Sequence, residues 1–216
     1  NKNLIETTED FPIKISILGR PNSGKSTLTN FLLKEERQLV GAESGLTRDA
    51  VSLEFNWKGN SYIIIDTPGL RKKSKINNAV ERIASKTSLK SVEESDVSIL
   101  MIDASIGFDK QDLNIANFIE NKGKPFSIAI NKWDLVKNKR TKKIELIEKI
   151  KKSLPQLGDV SIIFISSHKG SGINELMKKT NTIFNLGKLS ISTNNLNLFM
   201  EKITSIHSHP NVKGKE

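Results

Sequence analysis

At 216 residues the chain is long enough for one ordinary domain and some extra. Its balance of 36% hydrophobic and 27% charged residues excludes the disordered class, and its apolar runs fall far short of the roughly 20 residues a membrane-spanning helix needs. Cysteine is absent, which removes disulfides, thiolate catalysis and Cys-based zinc sites together, while a net charge of +10 fits either a Lys-rich solvated surface or a polyanionic partner.

Residues 1–11, with Glu6, Glu9 and Asp10 among Asn and Thr, read as a polar linker, and the chain opens at Asn1 as an excerpt from a longer protein would. Ile13–Leu18 is a short buried run rich in β-branched residues; it meets Gly19 and a Ser/Thr-rich helix start continuing through Leu28, Phe31 and Leu32. Val51–Trp57 and Tyr62–Asp66, joined by Lys58-Gly59-Asn60-Ser61, predict a hairpin. Val80, Ile83, Ala84, Thr87 and Val92 recur at helical spacing, followed by a strand over Val97–Asp103 and a helix from about Lys110 to Asn121. Phe126–Asn131 is the next strand, then a helix carrying Ile144, Ile147 and Ile150, a last strand over Ile162–Ser166, and a helix from Ile173 to Phe184. Gly187–Ser190 reads as a hinge before an amphipathic helix carrying Leu196, Phe199, Met200, Ile203 and Ile206 and ending near His209-Pro210. Six strands, one antiparallel, alternating with helices predict an α/β three-layer sandwich with helices on both faces of a mostly parallel sheet. Ligands on such sheets bind beyond the carboxyl ends of the strands.

The chemical residues fall at those ends. Gly19-Arg20-Pro21-Asn22-Ser23-Gly24-Lys25-Ser26, followed by Thr27, fits G-x-x-x-x-G-K-[ST] between a strand and a helix, the P-loop NTPase signature. Its glycines let backbone amides turn around a phosphate, Lys25 bridges the β- and γ-phosphates, and the Ser26 hydroxyl ligates Mg²⁺. Asp66-Thr67-Pro68-Gly69 closes the third strand, where Asp66 can hold Mg²⁺ through a water and the Gly69 amide can bond the γ-phosphate. Thr47, in the long loop before the second strand, can reach Mg²⁺ only while the γ-phosphate is present.

Asn131-Lys132-Trp133-Asp134 selects the nucleotide. A carboxylate at Asp134 accepts from guanine N1–H and the 2-amino group; adenine offers neither, and two unpaired buried acceptors amount to a discrimination on the order of a hundredfold. Lys132 can lay its aliphatic stem over the base, Asn131 can tie this loop to the phosphate loop, and Trp133 is expected to pack. Ser166-Ser167-His168, after the last strand, can offer a backbone amide to guanine O6, with His168 outside the catalysis.

In order, GRPNSGKST, GLTRD, DTPGLRKKSK and NKWDL resemble the EngA/Der GTPases of bacteria from about Ile13 to His209, although Leu46, Pro68 and Ser167 stand where that family often has Thr, Ala and Ala. The resemblance implies a second G domain at residues 12–187 and an incomplete KH-like domain at 188–216, whose start is similar to Ile191-Ser192-Thr193, Leu196-Asn197 and His209-Pro210. It further implies GTP and GDP as ligands, large ribosomal subunit assembly as the setting, ribosomal RNA as a partner, a cytoplasmic location without a membrane, and K⁺ held by Asn22 beside the phosphates. The fragment itself is expected to be monomeric.

Leu70 stands where many signalling GTPases carry a water-orienting Gln, so slow intrinsic hydrolysis is expected. Ordering of the Thr47 and Gly69 loops by the γ-phosphate would move Arg71-Lys72-Lys73-Ser74-Lys75, a basic run continuous with the second loop. The run Lys137–Lys143 adds five more basic residues. Rival readings are a P-loop ATPase or kinase, which Asn131–Asp134 opposes; a nucleotide sensor without turnover, which Leu70 permits; and a tRNA-modifying GTPase of the MnmE type, whose family ends in a Cys-containing motif.

Overall fold

The apolar runs set the sheet. A computed structural model describes residues 11–40, 52–65, 86–158, 160–188 and 192–206. Among these, six strands form one sheet in the order β2-β3-β1-β4-β5-β6: β1 (Ile13–Gly19), β2 (Ser52–Trp57), β3 (Asn60–Ile65), β4 (Val97–Asp103), β5 (Phe126–Asn131) and β6 (Ser161–Phe164). Only β2 runs antiparallel, pairing with β3 across a two-residue turn; Lys58 and Gly59 there both take positive φ, 50° and 84°, the twist that suits a tight hairpin. Every other pairing is parallel.

β4 is buried at all seven positions, as a central parallel strand covered on both faces must be. Ile99 and Met101 point into one core, with Ile15, Leu28 and Leu32 of α1 (Lys25–Val40), and Leu176 and Met177 of α5 (Ile173–Gly187). Leu100 and Ile102 point into the other, with Val92 of α2 (Lys86–Glu94), Ile115 and Ile119 of α3 (Lys110–Asn121), and Leu146 and Ile150 of α4 (Lys139–Ser153). The expected three-layer α/β sandwich is therefore present. β1 lies between β3 on one side and β4 on the other, so the order of strands reverses at β1, and its carboxyl end is where ligands of such sheets bind.

The predicted elements shift at three places, the β2–β3 link, β6 and α5: the link is two residues rather than the four from Lys58 to Ser61, because Asn60 and Ser61 already pair with Trp57 and Asn56. β6 stops at Phe164 rather than Ser166: the Ile165 amide still donates to the Ile130 carbonyl of β5 at 2.8 Å, but the Ser166 amide donates to the Ser171 carbonyl at 2.9 Å instead. α5 runs to Gly187, past the expected end at Phe184, so the expected hinge begins within the helix. Of the helix read from Val80 to Val92, only the part from Lys86 is described. The chain divides into two units, Asn1–Phe184 and Asn185–Glu216. In the second, α6 (Thr193–Ile206) is the amphipathic helix expected, with Leu196, Phe199, Met200 and Ile203 exposed; His209-Pro210 lies outside the described residues.

Candidate nucleotide site

The phosphate loop is shaped by two glycines that no other residue could replace. At Gly19 (φ 140°) a Cβ would lie 2.3 Å from the Met101 carbonyl oxygen, and at Gly24 (φ 98°) 2.0 Å from Asn131 Nδ2. The loop thus presses directly against the carboxyl ends of β4 and β5, and Asn22 between them takes the left-handed φ of 63°. The Lys25 amine folds back onto the loop, donating to the carbonyls of Gly19 at 2.8 Å and Arg20 at 2.7 Å. An ammonium carries three N–H bonds, so one remains for a phosphate oxygen. Burial pulls the Lys25 pKa down to about 8. Ser26 and Thr27 open α1 as exposed residues, and Pro21 is likewise exposed.

Arg20 belongs to the loop by its backbone, and its guanidinium reaches to the start of α3. Nε donates to Asp112 Oδ1 at 3.0 Å, one Nη to the Gly107 carbonyl at 2.7 Å and to Asp112 Oδ2 at 2.9 Å, and the other Nη to Asp109. Only its backbone belongs to the cradle. Asp109 and Asp112 form a capping box on α3: Asp109 accepts from the Gln111 and Asp112 amides, and Asp112 accepts from the Asp109 amide. Burial pushes the Asp112 carboxyl up to about 6, against the pull of the Asp109 amide and Arg20.

Asn131, buried at the end of β5, joins the two poles of the site. Its Nδ2 donates to the Ser23 carbonyl at 2.8 Å, and its Oδ1 accepts from the Ser167 amide at 2.9 Å. Within 166–169 the Ser166, Ser167 and Lys169 amides donate to protein acceptors, and His168 in the same run is exposed. Trp133 packs as expected, its ring 4.4 Å from that of Phe164. The Ser166 hydroxyl holds the Asp134 carboxyl below the usual range, with Lys169 Nζ 4.0 Å away, so Asp134 is ionised and able to accept from a base edge. Lys132 takes φ 60°, ψ 31° and sends its amine to Asp103. Asp103, Asp109 and Asp112 are the site residues that sequence reasoning missed, although the Asp109-x-x-Asp112 spacing before a helix is a readable cap signal.

Thr47, Asp66, Thr67, Pro68 and Gly69 lie outside the described residues, with Leu70 and Arg71–Lys75. Among the described residues Ser26, exposed next to Lys25, offers an oxygen donor of the kind Mg²⁺ takes.

Because a polyanion stabilises the charged amine, nucleotide binding should draw a proton onto Lys25 wherever the free protein holds it partly neutral. Uptake of about half a proton per nucleotide at pH 8 and about a tenth at pH 7 is expected, with affinity falling as pH rises beyond about 8. Calorimetric titration in buffers of different ionisation enthalpy measures this; no uptake at pH 8 would contradict the burial argument.

Residues 14–132 match the family described as 50S ribosome-binding GTPase. The chain is 39% identical over 207 residues to GTPase Der of Bartonella tribocorum, covering 96% of this chain and 44% of that protein. It is 37% identical over 214 residues to GTPase Der of Nitrobacter winogradskyi, covering 99% and 47%. It thus spans less than half the length of these relatives. Among solved structures it resembles Era in complex with MgGDPNP and a segment of 16S ribosomal RNA, with a TM-score of 0.60 and 34% identity over 79% of this chain and 56% of that one. The family match takes in more than half of the chain, and the chain belongs to the 50S ribosome-binding GTPases, within their EngA/Der type.

Proposed function

We propose that residues 12–187 are a G domain that binds Mg²⁺·GTP, hydrolyses it slowly and changes the order of two loops as it does so, and that residues 188–216 begin a KH-like domain. The observation that supports this furthest is the Asn131 side chain, which fixes the phosphate loop and the 166–168 loop at one spacing. In this reading the backbone of residues 19–24 and the Lys25 amine hold the phosphates, Asp134 accepts from the guanine N1–H and 2-amino group, and the His168 amide donates to O6. Ser26, Thr47 and, through a water, Asp66 would hold Mg²⁺, which when bound neutralises charge developing on the phosphate oxygens. Asn22, exposed in the loop, would ligate K⁺ on the same side.

Thr47 and the Gly69 amide meet the γ-phosphate only before hydrolysis, and Arg71–Lys75 follows the second of these loops directly. In this reading phosphate loss alters the grip of a basic run on ribosomal RNA, and the setting is large-subunit assembly in the bacterial cytoplasm. The Era relative bound to MgGDPNP and ribosomal RNA supports both ligand classes. No described helix is long and apolar enough to cross a membrane.

Asp134→Asn should lower GTP affinity on the order of a hundredfold and shift preference toward xanthosine triphosphate in competition binding; an unchanged preference removes Asp134 from the base pocket. Single-turnover hydrolysis should run roughly tenfold or more faster in K⁺ than in Na⁺, and Asn22→Ala should abolish the difference. Equal rates in the two salts would favour a sensor without a K⁺-assisted turnover.

A further inference from the structure

Asp103 ends β4 opposite Asn131 in the strand register, at the carboxyl edge where the site is built, and both of its carboxylate oxygens are engaged. Oδ2 accepts from Lys132 Nζ at 2.6 Å, while Oδ1 accepts from the Ser105 amide at 2.9 Å and the Ser105 hydroxyl at 2.6 Å. Burial pushes this carboxyl up, but the Lys132 amine and the two Ser105 donors outweigh it and hold it below the usual range. Its side chain is only 6% exposed and that of Lys132 33%, so the pair is screened far less than a surface ion pair.

Lys132 is thereby fixed at both ends. Its backbone sits in the left-handed region that a lysine seldom adopts, and its ammonium is clamped to the neighbouring strand. Between these anchors the four-carbon stem, which on a free lysine samples many rotamers, becomes a fixed apolar strip beside Asp134. A planar ring is the ligand such a strip suits, and fixing it before the ligand arrives removes the ordering cost from binding.

We infer that Asp103 is a positioning residue for the nucleotide base: its bond to the Lys132 amine holds the lysine stem flat against the purine, with Ser105 fixing the carboxylate in turn. This assignment rests on the proposed guanine-nucleotide site. It separates the base from the phosphates, because Asp103 makes no bond to the phosphate loop, whereas Asn131 bonds both.

The test is a double-mutant cycle on the full chain, using Asp103→Asn, Lys132→Met and the pair together, read by stopped-flow dissociation of a fluorescent GDP and by displacement with inorganic pyrophosphate. Lys132→Met keeps an apolar stem and removes the amine. Asp103→Asn should weaken GDP about tenfold, chiefly through faster dissociation, leave pyrophosphate binding within about twofold, and have no further effect in the Lys132→Met background. Ser105→Ala, the gentler change should Asp103→Asn fail to fold, should weaken GDP about two- to threefold with pyrophosphate unaffected. Additive effects of Asp103→Asn and Lys132→Met, a parallel loss of pyrophosphate binding, or variants that bind GDP like the parent would overturn the assignment. A parent chain that binds no GDP overturns the proposed site along with it; a parent that binds while both variants match it overturns only the role of Asp103.

Discussion

One buried carboxamide holds this site together. Asn131 donates to the phosphate loop through the Ser23 carbonyl and accepts from the Ser167 amide, so both of its polar ends are used in a place water does not reach. Leaving either end unpaired would cost about 1–3 kcal/mol, which makes the bridge stiff in proportion to its burial. Gly24 is the other side of the same contact. Only a residue without a Cβ lets the loop come close enough for the carboxamide to reach it. The spacing between the phosphate pole and the base pole is therefore set by packing at the ends of β1, β5 and β6.

Two further ties act on either side of this bridge. Arg20 leaves the phosphates and locks the loop to the first turn of α3 through Asp109, Asp112 and the Gly107 carbonyl. Asp112 is fully buried and also serves the capping box, so removal of the guanidinium would leave a carboxylate without its counter-charge, a loss usually worth several kcal/mol. On the base side, Lys132 is drawn to Asp103. Arg20 and Lys132 are thus each committed to named acceptors, while the Lys25 amine keeps one N–H for a phosphate. Among the described residues the scaffold is built before a ligand arrives.

The phosphate loop, the Asn131–Asp134 run, the hairpin and the order of strands and helices were all legible in the sequence. Glycine spacing and apolar periodicity are local signals, and the requirement that chemistry sit at strand carboxyl ends is a strong filter. The departures came from non-local partnerships. Nothing near Arg20 in the chain announces Asp112, 92 residues away, so the role of its side chain as a strut went unread. Which amide of the Ser166–His168 run is already bonded was not readable, because the acceptor of the Ser167 amide lies 36 residues earlier. Asp103 was visible as the end of a strand, but its pairing with Lys132 depends on β4 lying beside β5. The end of β6 was misplaced by two residues because Ile165 continues the apolar run and still bonds to β5, while the Ser166 amide goes to Ser171 in the following turn.

The most direct measurement of the central claim is calorimetric binding of GDP and of inorganic pyrophosphate to Asn131→Ala. If this side chain sets the spacing of both poles, both ligands should weaken by about tenfold or more, pyrophosphate included, although it never touches the base loop. Pyrophosphate bound as tightly as by the parent, with only GDP weakened, would show that the phosphate loop keeps its shape alone and that Asn131 is no more than a wall of the base pocket.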